Sequence, residues 1–190
     1  MSIVLDNAFI ERLAVILEKS IGDSSAPMGI AVTRKHVSDH VNFTDVVICG
    51  IGITGVFNGN LTLIIPQTTA CHFVSKMIGM EFNEVTDDVL DGCRELTNMV
   101  AGVIKMEINS AQCDINIGIP TSLIGHTLHM RFNPSDKYVH QQYGSPEGDL
   151  EVYLVCRDGG SELHEQAVKP AAVKKDAAGA LLERMKNNTK

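Results

Sequence analysis

The stretch Thr44–Pro66, TDVVICGIGITGVFNGNLTLIIP, decides the fold of this chain. Two apolar runs flank the pair Asn58-Gly59, which adopts the positive φ angles of a tight hairpin turn at little cost. We therefore predict two antiparallel strands that are joined at Asn58-Gly59. Pro66 ends the second strand, because proline has no N–H to donate to a strand ladder.

Two helices are predicted directly after this hairpin. Residues 67–78 carry apolar side chains at helical spacing, and residues 87–109 form the longest predicted helix. Thr86 is placed to cap the second helix at its N-terminus. Asp87 and Asp88 follow it, beside the positive end of the helix dipole.

One more helix and several strands complete the predicted order. Residues 6–21 form an amphipathic helix that ends at Gly22, and residues 133–148 form a polar loop. Alternating apolar side chains predict further strands over residues 28–35, 114–124, 126–132 and 150–156. The order helix, strands, two helices, strands favours an α+β fold, a mainly antiparallel sheet with long helices packed on one face. The similar order of the two halves suggests an internal duplication.

Length and composition fit one compact domain followed by a tail. The chain has 190 residues, of which 44% are hydrophobic and 21% are charged, enough to build a core. We expect the domain to span residues 1–158 and the tail, residues 159–190, to be helical or partly disordered. No apolar run approaches the roughly 20 residues that cross a bilayer, and the N-terminus lacks the pattern of a signal peptide. We therefore expect a cytoplasmic protein.

Charge and cysteine content argue against several classes of function. Sixteen Lys and Arg against 23 Asp and Glu give a net charge of −7, which disfavours a nucleic-acid binder or a polybasic membrane-surface module. The five cysteines are odd in number and widely spaced, with no CxxC pair. We predict that they are buried free thiols, not disulfides or zinc ligands.

Two familiar motifs carry little weight here. Gly50, Gly52 and Gly55 spell GxGxxG, but the predicted hairpin follows them, so no helix N-terminus is available to bind a pyrophosphate. His36 and His40 have the spacing of zinc ligands on a helix, yet they follow a predicted strand and lack a clear third ligand. A zinc-dependent enzyme is an alternative that metal analysis would test.

The long helix has an apolar stripe and an opposite face with more chemical content. At 100° per residue, we expect one stripe to face the sheet. That stripe contains Val89, Cys93, Leu96, Val100 and Val103.

The opposite face gathers Glu95, Asn98 and Gly102, with Asp91 beside them and Met99 at the flank. Glu95 and Asn98 are three residues apart, so their side chains emerge as neighbours. Gly102 costs about 1 kcal/mol of helix propensity relative to Ala and leaves room for another surface. Exposed methionines are adaptable contact residues. Spacing alone also fits an ordinary solvated helix face.

The segment Glu95-Leu-Thr-Asn98-Met-Val-Ala-Gly102 resembles the E-x-x-N signature of the CheC/CheX chemotaxis phosphatases. The resemblance extends over residues 50–124, which include the hairpin, the next helix and the strand after the signature helix. Because only Glu95 has an Asn three residues later, the chain is similar to the one-site CheX branch. It departs from the family at Thr97, where Gly is familiar, and beyond Gly160.

The resemblance implies an activity and roles for the signature residues. The family hydrolyses the acyl phosphate on an aspartate of a CheY-type response regulator, which brings its own Mg²⁺. Asn98 would then orient the attacking water, because an amide can both accept and donate hydrogen bonds. Glu95 would pair with the active-site lysine of the regulator. Asp91, Met99 and Gly102 would belong to the docking surface.

The resemblance also bears on cofactors and assembly. It implies no metal or cofactor of the protein's own and a homodimer, since the CheX branch pairs through its sheet. The alternative within the same fold is a non-catalytic module that binds a response regulator or a motor component without hydrolysis.

Overall fold

The computed structural model describes residues 5–37, 43–110, 113–128 and 136–158, all within the compact unit Met1–Gly159. The helices are α1 (Asn7–Ser25), a short 3₁₀ helix (Ala26–Met28), α2 (Gln67–Ile78) and α3 (Asp87–Ser110). The strands are β1 (Thr33–Lys35), β2 (Phe43–Gly55), β3 (Phe57–Pro66), β4 (Ile115–Ile117), β5 (Thr121–Leu128), β6 (Lys137–Ser145) and β7 (Gly148–Asp158).

The strands described form one sheet of seven with the order β1-β6-β7-β3-β2-β4, and β5 also pairs with β2. Every pairing is antiparallel. β4 and β5 lie end to end along the same side of β2, opposite Ile53–Gly55 and Phe43–Gly50 respectively. The predicted α+β class with a mainly antiparallel sheet is confirmed; an internal duplication stays a prediction.

The core lies between the helices and one face of the sheet. Each of the three α-helices contributes buried apolar side chains, and alternate residues of the central strands meet them, as the two-residue period of a strand requires. The largest contributors include Leu13, Leu17, Ile51, Ile53, Phe57, Leu61, Phe73 and Ile104. The long α3 thus has one face fixed against the sheet. Among the helices described, none is both long and apolar enough to span a membrane.

The helix boundaries follow local capping, with one error in the prediction. The Asp6 carboxylate accepts a hydrogen bond from the Phe9 N–H at 2.8 Å and starts α1, and the Thr86 hydroxyl accepts one from Val89 at 3.4 Å at the start of α3. The predicted stop at Gly22 is wrong, because α1 continues to Ser25. The buried Ile21 and Ser25 hold this last turn, with the Ser25 hydroxyl donating to the Ile21 carbonyl.

The position of the first hairpin turn is also corrected. β2 ends at Gly55 and β3 begins at Phe57, so Asn58-Gly59 lies inside β3 and does not form the turn. Gly55 takes the turn conformation with φ of +132°, and an added Cβ would collide with the Asp114 backbone. Gly59 serves a different purpose, because a Cβ there would collide with the Val155 carbonyl of β7.

The predicted polar loop at residues 133–148 is wrong where it is described. Residues 137–145 form β6, and a two-residue turn joins β6 to β7. The strand is hidden in the sequence because a core position holds a polar residue. Gln141 is fully buried, donates to the Ala14 carbonyl of α1 at 2.8 Å and accepts from the Tyr143 hydroxyl.

Three other strand boundaries differ from the prediction. Residues 114–124 are interrupted at Gly118–Pro120, so β4 is short and β5 runs from Thr121 to Leu128. Only Thr33–Lys35 of the predicted strand 28–35 forms a strand. The end of the predicted strand 126–132 and the predicted tail, residues 159–190, lie outside the described residues.

Candidate functional site

Helix α3 presents a buried face and an outward face. The buried face covers the predicted stripe apart from Val103, which is only half-buried. The difference arises because α3 packs against α1 as well as against the sheet. Side chains next to the predicted stripe are therefore buried too. The residues buried on α3 are Val89, Gly92, Cys93, Leu96, Thr97, Val100, Ala101, Ile104 and Ile108.

Glu95 and Asn98 lie side by side on the outward face. Glu95 is exposed and Asn98 is half-buried. Three residues of α-helix separate them by about 4.5 Å along the axis and about 60° around it. Neither side chain has a hydrogen-bond or ion-pair partner among the described residues. A free carboxylate and a free amide are therefore offered together to whatever meets this face.

The remaining predicted site residues surround this pair. Asp91 is exposed one turn before Glu95, and Met99 is half-buried beside Asn98. Gly102 lies one turn beyond Asn98, and a Cβ added there would meet no atom within 4 Å. The outward face is therefore open at Gly102, with space in front of the backbone.

Contacts on the buried side hold this part of α3 in place. The Thr97 hydroxyl donates to the Cys93 carbonyl at 2.8 Å, so the residue that departs from the family signature is satisfied within the helix. Gly92 packs closely on α2, since its missing Cβ would lie 2.6 Å from a methyl group of Val74. At the far end, the Asn109 side chain accepts from the backbone N–H of Ile115. The helix is thus supported by α2 and by the strand region that follows it.

Arg94 and Ser122 are site neighbours that the sequence interpretation missed. Arg94 Nη1 donates to the Ser122 hydroxyl of β5 at 2.6 Å, and Nη2 pairs with the Asp91 carboxylate. The spacing of Asp91 and Arg94, three residues apart on a helix, was a signal for their ion pair. Ser122 gave no such signal, because its proximity depends on how β5 lies beside α3.

The cysteines fit the prediction of free thiols. None of the five forms a disulfide, and four are buried; Cys113 is half-buried. Cys93 lies on the buried face of α3. Its pKa is raised mainly by a hydrogen bond with the Cys49 thiol and secondarily by burial. That hydrogen bond lowers the pKa of Cys49, with smaller contributions from Thr97 and Arg94. The Cys93 thiol therefore stays protonated and packs as a small apolar group.

The glycines of the first weak motif lie where the prediction placed them, and the histidine motif lies only partly within the described residues. Gly50, Gly52 and Gly55 lie within β2, and no helix follows them. His36 is exposed, whereas His40 lies outside the described residues. No cluster of three or more His, Cys, Asp or Glu side chains suited to a metal is present in residues 5–37, 43–110, 113–128 and 136–158.

Two sequence comparisons with known proteins identify the same family. The family model described as chemotaxis phosphatase CheX matches residues 47–143. A curated protein of Thermotoga maritima, CheY-P phosphatase CheX, is 30% identical over 123 residues, which cover 64% of this chain and 78% of that protein.

Solved structures show the same fold. The crystal structure of chemotaxis protein CheX from Desulfovibrio desulfuricans has a TM-score of 0.68 at 18% identity, covering 77% of this chain and 99% of that one. The CheX-CheY-BeF₃-Mg²⁺ complex from Borrelia burgdorferi contains a chain with a TM-score of 0.61 at 18% identity, covering 78% of this chain and 97% of that one.

Proposed function

The chain belongs to the CheX family of chemotaxis phosphatases, and we propose that it hydrolyses the phosphoryl group on the aspartate of a CheY-type response regulator. One observation carries the proposal to particular residues. Glu95 and Asn98 stand next to each other on the outward face of a supported helix, and neither side chain has a partner within the described residues. Such groups are available to act on a second protein.

Asn98 supplies the chemistry in this proposal. Hydrolysis of an acyl phosphate requires mainly an oriented water molecule and compensation of charge on the transferring group. The Asn98 carbonyl oxygen accepts a hydrogen bond from the water, and its NH₂ donates toward the phosphoryl oxygens. The amide thereby places the water in line with the bond that breaks. Positioning of this kind is effective only if the amide is held rigidly, which a helix achieves.

Glu95 fixes the docked geometry. Its carboxylate pairs with the active-site lysine of the regulator, and the i, i+3 spacing then brings Asn98 to the phosphoryl group. The regulator supplies the Mg²⁺ that its own phosphorylated site binds, so this chain requires no metal or cofactor of its own.

Asp91, Met99 and Gly102 form the surrounding docking surface. Met99 offers a flexible apolar contact, and Gly102 lets the partner approach the helix backbone because nothing stands within 4 Å of its missing Cβ. Asp91 borders the face at its N-terminal side, where its carboxylate pairs with Arg94.

Cellular context and assembly are part of the same proposal. We place the protein in the cytoplasm, in a two-component pathway such as chemotaxis, with residues 1–158 as the phosphatase domain and residues 159–190 as a tail. A homodimer through the sheet is supported by β5, which pairs only with β2 among the described strands. Leu123 and Ile124 on β5 are 55% and 45% exposed.

The decisive experiment measures phosphate release from phosphorylated regulators of the same genome. The variant Asn98→Ala should fold normally, because the amide has no hydrogen-bond partner among the described residues and Ala has the higher helix propensity. It should nevertheless lose stimulated dephosphorylation by on the order of 10²-fold or more. Glu95→Ala should bind the regulator more weakly. Full activity of Asn98→Ala would refute the mechanism, and binding of the wild-type protein without turnover would favour the non-catalytic module.

A further inference from the structure

Arg94 connects the proposed docking face to the edge of the sheet. Its guanidinium donates to the Ser122 hydroxyl of β5 at 2.6 Å and pairs with the Asp91 carboxylate one turn earlier on α3. The side chains of Arg94 and Asp91 are 35% and 65% exposed. A planar guanidinium has five donors and can hold two partners at once. Arg94 therefore neutralises Asp91 while Ser122 holds it in place.

Without Arg94, the outward face of α3 would offer two similar carboxylates. Asp91 and Glu95 are four residues apart, which places them on the same face of the helix about 6 Å apart along its axis. Both are exposed. A lysine on a docking protein would then have two acceptors of the same charge within one helical turn.

Only one of these carboxylates gives productive docking under the proposed function. Glu95 lies three residues before Asn98, whereas the residue three positions after Asp91 is Arg94 itself. A partner docked through Asp91 would be shifted along α3 by one turn. No amide would then stand at its phosphoryl group, and misplacement by as little as about 1 Å is already costly to catalysis.

We propose that Arg94 is a positioning residue that sets the docking register of the regulator on α3. It occupies Asp91, so that Glu95 is the free carboxylate that the regulator's lysine meets. This inference rests on the proposed function, and it goes beyond that function by assigning a task to Arg94 and Ser122 that the signature residues do not perform.

The test uses Arg94→Met, which keeps a long side chain with good helix propensity and removes the charge. When a substrate also binds in an unproductive register, only part of the bound complex can react. Both kcat and KM then fall by the same factor, and kcat/KM is unchanged. If the two carboxylates attract the lysine equally, half of the bound regulator is productive and both constants fall about twofold. The affinity for the regulator loaded with beryllofluoride and Mg²⁺ should rise by the same factor.

Two further variants separate register from structure. In an Asp91→Asn background, the competing carboxylate is absent, so adding Arg94→Met should leave kcat within about 1.5-fold of the single Asp91→Asn variant. The matched control is Arg34→Met, which removes the exposed Arg34–Glu18 pair of 2.9 Å on β1 and should leave both constants unchanged.

The outcomes are distinguishable. A merely structural role of Arg94 predicts a lower kcat/KM in both backgrounds, and that result would overturn the inference. So would unchanged kcat and KM in Arg94→Met. In either case the activity of the wild-type protein still supports the proposed function. If the wild-type protein neither binds nor dephosphorylates any regulator, the proposed function fails and the docking register with it.

Discussion

Replacing Gly102 by Ala should separate the stability of α3 from its function. Gly102 lies inside a 24-residue helix, where Ala is favoured over Gly by about 0.5–1 kcal/mol. The new methyl group would meet no atom within 4 Å in the protein itself. The free energy of unfolding should therefore rise by that amount, which corresponds to an increase in Tm of about 1–4 °C for a chain of this size.

The same methyl group should impair activity. If the regulator packs against the backbone at Gly102, an added methyl overfills the interface, and overpacking costs about 1–3 kcal/mol. That range corresponds to a fall in kcat/KM of about fivefold to 150-fold. The expected result is a more stable protein that is a poorer phosphatase.

Gly92→Ala in the same helix is the matched control. A Cβ at Gly92 would lie 2.6 and 2.7 Å from the two γ-methyl groups of Val74, a β-branched side chain with little freedom to move. The overpacking cost of about 1–3 kcal/mol exceeds the gain in helix propensity, so this variant should be less stable by up to about 2 kcal/mol. Because Gly92 is buried against α2, kcat/KM should stay at the wild-type value while the protein is folded.

The assay combines thermal unfolding with phosphate release from a phosphorylated regulator. Phosphate release is measured well below the unfolding temperatures of the wild type and of both variants. Opposite signs of the two effects in Gly102→Ala would support an open docking surface at that position. Wild-type kcat/KM in Gly102→Ala would show that the partner does not approach this part of α3. Gly102 would then lie outside the docking surface.

Two further predictions address the core and the assembly. Leu96→Ala should destabilise the protein by about 2–5 kcal/mol in denaturant unfolding, because Leu96 is only 6% exposed; a loss below 1 kcal/mol would contradict its place in the core. Leu123→Asp should convert the proposed homodimer to a monomer in light scattering, because it places a charge on the exposed edge strand β5. A wild-type monomer, or an unchanged dimer in the variant, would exclude this edge as the interface. The control is Val15→Asp, which places the same charge on an exposed position of α1 and should leave the dimer intact.

The elements that were predicted well are those whose periodicity is undisturbed. α2 and α3 begin and end within a residue of the prediction, since apolar side chains recur at helical spacing and Gly79 and Thr86 mark their boundaries. The class of fold followed from their order among strands. The outward placement of Glu95 and Asn98 followed from the same 100° rotation that placed Leu96 inside.

The errors share a physical cause, which is tertiary packing that local sequence does not reveal. Asn58-Gly59 has the composition of a turn, but Gly59 is required by the close approach of β7. Likewise, β6 was missed because Gln141 is buried as a polar residue whose amide is satisfied by α1. The deciding partner lies about 100 residues away in sequence in the first case and 127 in the second, beyond the reach of local propensity.

The same distinction applies to the site, where some residues are brought together by local structure and others by tertiary packing. Glu95 and Asn98 need only a helix to come together, so a sequence motif can reveal them. The Ser122 contact needs a strand that begins more than 20 residues later to lie beside that helix, and only the fold shows this. If Arg94 sets the docking register, then part of the specificity resides in a contact between elements, and proteins with the same E-x-x-N motif need not share it. Transplanting the motif alone should therefore carry the chemistry without the register that Arg94 provides.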